Sequence, residues 1–126
     1  MLVIDKISRK PIYEQLVDGL EREIVTGLLQ PQTQLPSIRE LSATLGVNPN
    51  TVQRALQELD RIGIVVAAPG RGVFVADDAP TIIRRRMSTK IAEIRDIAAE
   101  LARAGVEMES VLNVVQEAYG QTGKNS

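Results

Sequence analysis

The 126-residue chain has no cysteine and no histidine. Their absence removes disulfides, zinc-finger ligand sets, thiol nucleophiles and imidazole bases. Tryptophan is missing too, Phe74 is the only phenylalanine, and the tyrosines are Tyr13 and Tyr119. A core must therefore be built from Leu, Ile and Val, which suits helices packed on helices, and Phe74 reads as a plug in that core. No apolar run approaches the ~20 residues needed to span a bilayer. Met1-Leu2-Val3-Ile4-Asp5 does not read as a signal peptide. The lack of cysteine fits a reducing compartment, so the expectation is a soluble, cytoplasmic chain with no metal, cofactor or membrane partner. Without His, Cys or a carboxylate pair placed in a cleft, nothing points to an enzyme. Excess positive charge is also absent. The formal net charge is −1, and residues 1–78 carry 8 Lys and Arg against 10 Asp and Glu. Any nucleic-acid surface must be a local patch on a neutral body.

Aliphatic periodicity, by contrast, is plentiful. Residues 2–7 alternate weakly, as a short strand or an ordered arm. From Pro11, the positions Ile12, Leu16, Leu20 and Ile24 step by four, with Tyr13 and Val17 widening the stripe, and Gly27 closes the helix. Gly19 inside it implies a close backbone approach or simple tolerance. The charged side chains of this helix are expected in solvent. Residues 28–36 form a loop punctuated by Pro31 and Pro36. Ser37-Ile38-Arg39-Glu40 then spells a capping box, opening a short helix with Ile38, Leu41 and Leu45 on its apolar side and Gly46 at its end.

A second helix starts close behind. Asn48 is a good N-cap and Pro49 suits the first helical position. Val52, Ala55, Leu56, Leu59 and Ile62 share one face; Asn50, Arg54, Gln57 and Arg61 share the other, with Gln53 at the edge. Such a helix can lie in a DNA major groove or be an ordinary solvated surface helix. Two short helices across a tight Gly-containing turn make a helix-turn-helix. Residues 64–68 and 73–76 are β-branched runs flanking Pro69-Gly70-Arg71-Gly72, a type II turn signature with Arg71 at the tip. The order of elements is that of a winged helix.

Asp77-Asp78-Ala79-Pro80 breaks the composition, dividing a winged helix-turn-helix domain (residues 1–78) from a helical region (79–126). Met87, Ile91, Ile94, Ala98 and Leu101 then step by four and three, a coiled-coil-like seam that Ile82, Ile83 and Ile97 broaden. Past Gly105, Val111, Leu112, Val115 and Ala118 form a shorter stripe, and residues 120–126 read as a frayed polar end. These stripes cannot be buried within one chain, so they predict a homodimer. Arg84-Arg85-Arg86 point in three directions and are expected in solvent or paired with acids across that dimer. The expected fold class is mainly α with a small β-hairpin wing: a winged helix-turn-helix domain followed by a two-helix dimerisation region.

The chain resembles the GntR family of bacterial transcription regulators. The matching pieces are Pro11-Ile12-Tyr13-Glu14-Gln15-Leu16, the Gly27-Leu28 step, Leu35-Pro36-Ser37-Ile38-Arg39-Glu40-Leu41, Leu45-Gly46-Val47, Thr51-Val52 and Gly70-Arg71-Gly72-Val73-Phe74-Val75. Asn48-Pro49-Asn50-Thr51-Val52 and the short tail are similar to the YtrA-type branch, whose C-terminal part is a pair of helices. The resemblance implies a dimeric, DNA-binding regulator on an inverted-repeat operator, usually a repressor and often of transporter operons. By position it implies DNA contacts at Arg39, Asn48, Pro49, Asn50, Thr51, Gly70 and Arg71. This chain departs from many members in having Gln53 where they carry Arg or Lys, and Asn48-Pro49 where they carry Ser-Arg.

The residue types add their own reading. Arg39 can contact phosphate or guanine, or pair with Glu40 or Glu58; Asn50 and Gln53 can pair bidentately with adenine. Thr51 stands at a helix N-terminus, where anions are favoured. Arg71 can enter a minor groove or touch phosphate. With Ser37 and Arg54 these residues complete the expected DNA-binding set. Arg61, near the far end, is expected in solvent. The expected dimer interface comprises Met87, Ile91, Ile94, Ala98, Leu101, Val111, Leu112 and Val115. A small effector between the C-terminal helices is a minority expectation, because the tail is too short to close a pocket alone. The alternative function is a winged-helix protein-interaction module without specific DNA binding.

Overall fold

A computed structural model describes residues 2–124. Five helices and one hairpin follow in the order α1 (Ile12–Val25), α2 (Ile38–Leu45), α3 (Pro49–Ile62), β1 (Val65–Ala68), β2 (Gly72–Val75), α4 (Ala79–Arg103) and α5 (Met108–Lys124). The chain divides into two compact units, one ending at Arg86 and the other starting at Met87.

In the first unit, α3 packs on α1, α2 and β1. Leu16, Leu20 and Ile24 of α1 meet Val52, Ala55 and Leu59 of α3, Leu41 of α2, and Ile64, Val65 and Val75 around the hairpin. The aliphatic stripes of the sequence are thus the core. The unit runs past the acidic break at Asp77-Asp78 because Ala79 and Ile83, on the first turns of α4, are fully buried in it.

The antiparallel hairpin pairs Val65 with Val75 and Ala68 with Gly72. Gly70 has φ 77°, and the Arg71 N–H donates to the Ala68 carbonyl at 2.9 Å. That is the geometry of the second central residue of a Pro-Gly type II turn, in which a side chain at Gly70 would be strained. The loop before α2 does more than connect. The N–H groups of Gln32 and Leu35 donate to Val75 and Val73, and Val75 donates back to Thr33, each at 2.8–2.9 Å. It lines the free edge of β2 as a short third segment.

Three expectations are corrected here. Phe74 is no core plug: Val73 and Val75 point inward, so period-two alternation turns Phe74 outward, half-buried opposite Val66. Glu21 is not in solvent. It is 5 % exposed and accepts from Arg86, with Arg86 Nε at 3.2 Å and an Nη at 3.1 Å. Arg86 therefore pairs within its own chain. In the polar end, α5 runs to Lys124; Asn125 and Ser126 lie outside the described residues.

Residues 2–10 form an ordered arm with no strand. Gln15 staples it: its Nε2 donates to the carbonyls of Asp5 and Lys10 (2.9 Å each), and its Oε1 accepts from the Asp5 N–H at 2.8 Å. Leu2 closes over Gly19, where a Cβ would collide with the leucine side chain. The glycine inside α1 marks a close approach.

The second unit consists of the rest of α4 and α5, and its apolar side chains are mostly uncovered. Ile91, Ile94 and Ile97 are 60 %, 57 % and 55 % exposed, and Met87, Leu112, Val114 and Val115 are exposed too. Among the described residues no helix is long and apolar enough to cross a membrane.

Candidate nucleic-acid interface

Local chemistry builds the helix-turn-helix. The Ser37 Oγ accepts from the Glu40 N–H at 3.0 Å while the Glu40 carboxylate accepts from the Ser37 N–H at 3.4 Å. This capping box fixes where α2 begins. At the start of α3, Asn48 Oδ1 accepts from the Asn50 N–H at 2.8 Å, and Pro49 follows. Between the helices, the Ser42 hydroxyl donates to the Val47 carbonyl, and Lys6 Nζ donates to the Gly46 carbonyl at 2.9 Å. Val47 is buried, anchoring the turn from below. Asn48→Ala is expected to lower the stability of the first unit by about 1 kcal/mol, read as a shift of the urea unfolding midpoint with an unchanged slope.

The anchored face and the free face of α3 divide as its periodicity requires. Val52, Ala55, Leu56 and Leu59 are buried, while Asn48, Pro49, Asn50, Gln53, Arg54 and Gln57 are exposed and Thr51 is half-buried. The capping oxygen of Asn48 is committed to its own helix, so among the described residues the groups left without hydrogen bonds on this face are the Asn50, Gln53 and Gln57 amides and the Arg54 guanidinium. Ser37 and Arg39 stand exposed at the start of α2. Gly70 and Arg71 are exposed in the hairpin turn, whose position is held by Gln34 Nε2 donating to the Arg71 carbonyl at 2.9 Å.

Charge is arranged less unfavourably than the net count suggests. Glu21 is neutralised by Arg86, Asp18 by Lys10 and Glu58 by Arg61. Glu40 closes the capping box, and Asp77 accepts from Gln32 at 2.9 Å. The Arg61 guanidinium donating to Glu58 holds that carboxyl below its ordinary value. Arg61 lies in solvent as expected, 69 % exposed, and pairs with Glu58 there. Arg39 pairs with neither Glu40 nor Glu58; among the described residues, its side chain and that of Arg71 make no hydrogen bond or ion pair. Arg39 on α2 and Arg71 in the hairpin turn thus expose free guanidiniums, and that of Arg54 is held at α3.

Three positioning residues escaped the reading of the sequence. Lys6 reaches the helix-turn-helix from forty residues away, Gln34 braces the turn, and Tyr13 lies under Arg54, whose Cζ is 3.9 Å from the ring centroid. Tyr13 belongs to an aliphatic stripe, so periodicity marks it only as core. Among the described residues no cluster of His, Cys, Asp and Glu could hold a metal ion.

In the second unit, α4 and α5 enclose an open apolar cleft of about 350 Å³. Ile94, Ala98, Leu101, Val111 and Val115 of the expected interface line it, joined by Ile97, Val106, Val114 and a single polar residue, Ser110. Met87, Ile91 and Leu112 lie outside the cleft but are exposed.

Comparison with known proteins bears on this surface. The model of the gntR family of bacterial regulatory proteins matches residues 12–75. The transcriptional repressor YtrA of Bacillus subtilis is 36 % identical over 118 residues, spanning 93 % of this chain and 91 % of the relative. The structure of YtrA from Sulfolobus acidocaldarius, a GntR-family transcription factor, is similar at TM-score 0.63 and 35 % identity, covering 77 % of this chain and 97 % of the other. The DNA-binding domain of AraR in complex with an operator is similar at TM-score 0.53 and 26 % identity, covering 60 % of this chain and 93 % of that one.

Proposed function

The chain belongs to the GntR family of bacterial regulatory proteins, DNA-binding transcription regulators, and from that premise we propose that it is a homodimeric, cytoplasmic repressor of an inverted-repeat operator. The observation that carries the reading is the divided α3: a fully buried aliphatic face fixes the helix, and its opposite face offers free amides and a guanidinium. In this reading α3 enters the major groove. Asn50 and Gln53 read base edges, Arg39 contacts guanine or phosphate, and Ser37, Thr51, Arg54, Gly70 and Arg71 engage the backbone or minor groove. Asn48 and Pro49 set the helix start, bringing Thr51 and its neighbours to the DNA.

Repression is supported by the Bacillus relative named as a repressor, and operator binding by the AraR complex. The family resemblance extends the target to a transporter operon. Dimerisation is supported by the uncovered apolar faces of α4 and α5. The cleft between them is almost wholly apolar. It lacks the convergent polar groups that orient a small ligand, so a second chain suits it better than an effector. The protein-interaction alternative took its motive from the acidic balance of residues 1–78. It loses weight because much of that acid is already paired or capping.

Arg39→Ala is expected to weaken binding to a selected operator by about 1–3 kcal/mol, measured by gel-shift titration against the DNA upstream of the chain's own coding region. Undiminished affinity for the preferred site would remove Arg39 from the interface. A chain that shows no salt-sensitive, sequence-selective shift, and instead captures a stoichiometric protein partner, would return the alternative.

A further inference from the structure

Arg54 has two possible partners, and the structure commits it to the less obvious one. At i+4 on the same helix face stands Glu58, the ion-pair partner helical spacing offers. Both Glu58 oxygens, however, accept from Arg61, Oε2 from Nε at 3.0 Å and Oε1 from an Nη at 2.5 Å. Arg54 instead carries its guanidinium over the ring of Tyr13, at 3.9 Å from the centroid. The ring is itself held. Tyr13 is half-buried against the core, its hydroxyl donates to Glu14 Oε1 at 3.3 Å, and Gln15 staples the arm that leads into this turn of α1.

A guanidinium over an aromatic face keeps its charge and its in-plane N–H donors, which match the geometry of a phosphate. Tyr13 draws that fork toward α1, to the α1 side of the exposed face of α3. A group at the flank of a groove-bound helix meets the sugar-phosphate backbone before it meets bases. We infer that Tyr13 and Arg54 form a composite phosphate-binding site for the DNA backbone, with Tyr13 the positioning residue and Arg54 the contact. The inference rests on the reading of α3 as the DNA-facing helix.

A phosphate contact is independent of sequence, so the test needs no operator. The full-length chain is titrated by fluorescence anisotropy onto a random-sequence duplex of about 30 base pairs at several salt concentrations, long enough to span two half-sites. Arg54→Ala is expected to reduce the slope of log affinity against log salt by about one unit. Tyr13→Leu is expected to weaken binding at low salt by about two- to fivefold, and Tyr13→Phe, which keeps the ring, to restore it. The double variant Tyr13→Leu with Arg54→Ala should bind no more weakly than Arg54→Ala alone. Thermal melts of each variant separate this from a loss of fold, and where Tyr13→Leu does not fold the Arg54→Ala slope decides. Multiplying losses, an unchanged Arg54→Ala slope, or Tyr13→Leu binding like the parent would each overturn the site while leaving the DNA-facing reading intact. A parent chain that binds no duplex overturns both.

Discussion

Replacing Ile94 and Ile97 together with glutamate is expected to convert a dimer into a monomer. Affinity for an inverted repeat should fall with it by on the order of a hundredfold or more, because two half-site contacts are no longer linked. Both side chains are more than half exposed in the single chain and line the apolar cleft between α4 and α5. Glutamate there would have to lose its hydration to enter an apolar interface. Sedimentation equilibrium reads the change in mass, and anisotropy on a two-half-site duplex reads the change in affinity. The first compact unit ends at Arg86, so its melting should change little. A variant that stays dimeric and binds undiminished would place the dimer contact on another surface.

Leu59→Ala should have the largest effect on stability. Leu59 is 0 % exposed and sits on the buried side of α3, within the cluster that joins this helix to α1 and the hairpin. Truncation leaves a cavity that rigid helices close only partly, at a cost of about 2–5 kcal/mol. For a unit of this size that corresponds to a melting point lower by roughly 10 °C or more, measured by circular dichroism. DNA binding below the new melting point should survive, since the side chain faces away from the proposed contacts. A loss well under about 1 kcal/mol would mean that the core around α3 repacks freely, against the close packing described.

These expectations depend on features of very different legibility. The capping box, the Asn48-Pro49 helix start, the two-faced α3 and the Pro-Gly turn were readable because each is decided within a few residues. What escaped was decided over long separations. Nothing near Glu21 in the chain announces that it will be buried; its partner Arg86 comes from α4. Among three successive arginines, spacing alone could not single out the one that turns toward α1. Tyr13 and Arg54 are likewise remote in sequence, and an aliphatic stripe disguises the aromatic as core. Phe74 is different. Its flanking valines carried the alternation that turns it outward, but scarcity of aromatics outweighed strand periodicity in the reading. The edge segment at residues 32–35 was hidden by the flanking Pro31 and Pro36 and by its own polar side chains, although its backbone pairs with β2.

The charge balance gives a related lesson. The count for residues 1–78 argued against a nucleic-acid surface, yet counts ignore pairing. Once Arg86 closes on Glu21 and Arg61 on Glu58, the unpaired guanidiniums of Arg39 and Arg71 carry more of the outward field. Exposed charges are screened beyond about 10 Å at 0.1 M salt, so such a local arrangement decides what an approaching phosphate meets.

The most direct test of the proposed repressor is a hydroxyl-radical footprint of the chain on a duplex selected by its own binding from the DNA upstream of its coding region. A symmetric dimer with one α3 in each major groove should protect two related half-sites about one helical turn, ~34 Å, apart. The half-site sequences should form an inverted repeat, and protection should fade as salt rises. A single asymmetric patch, or no protection at concentrations where the chain is dimeric, would contradict it.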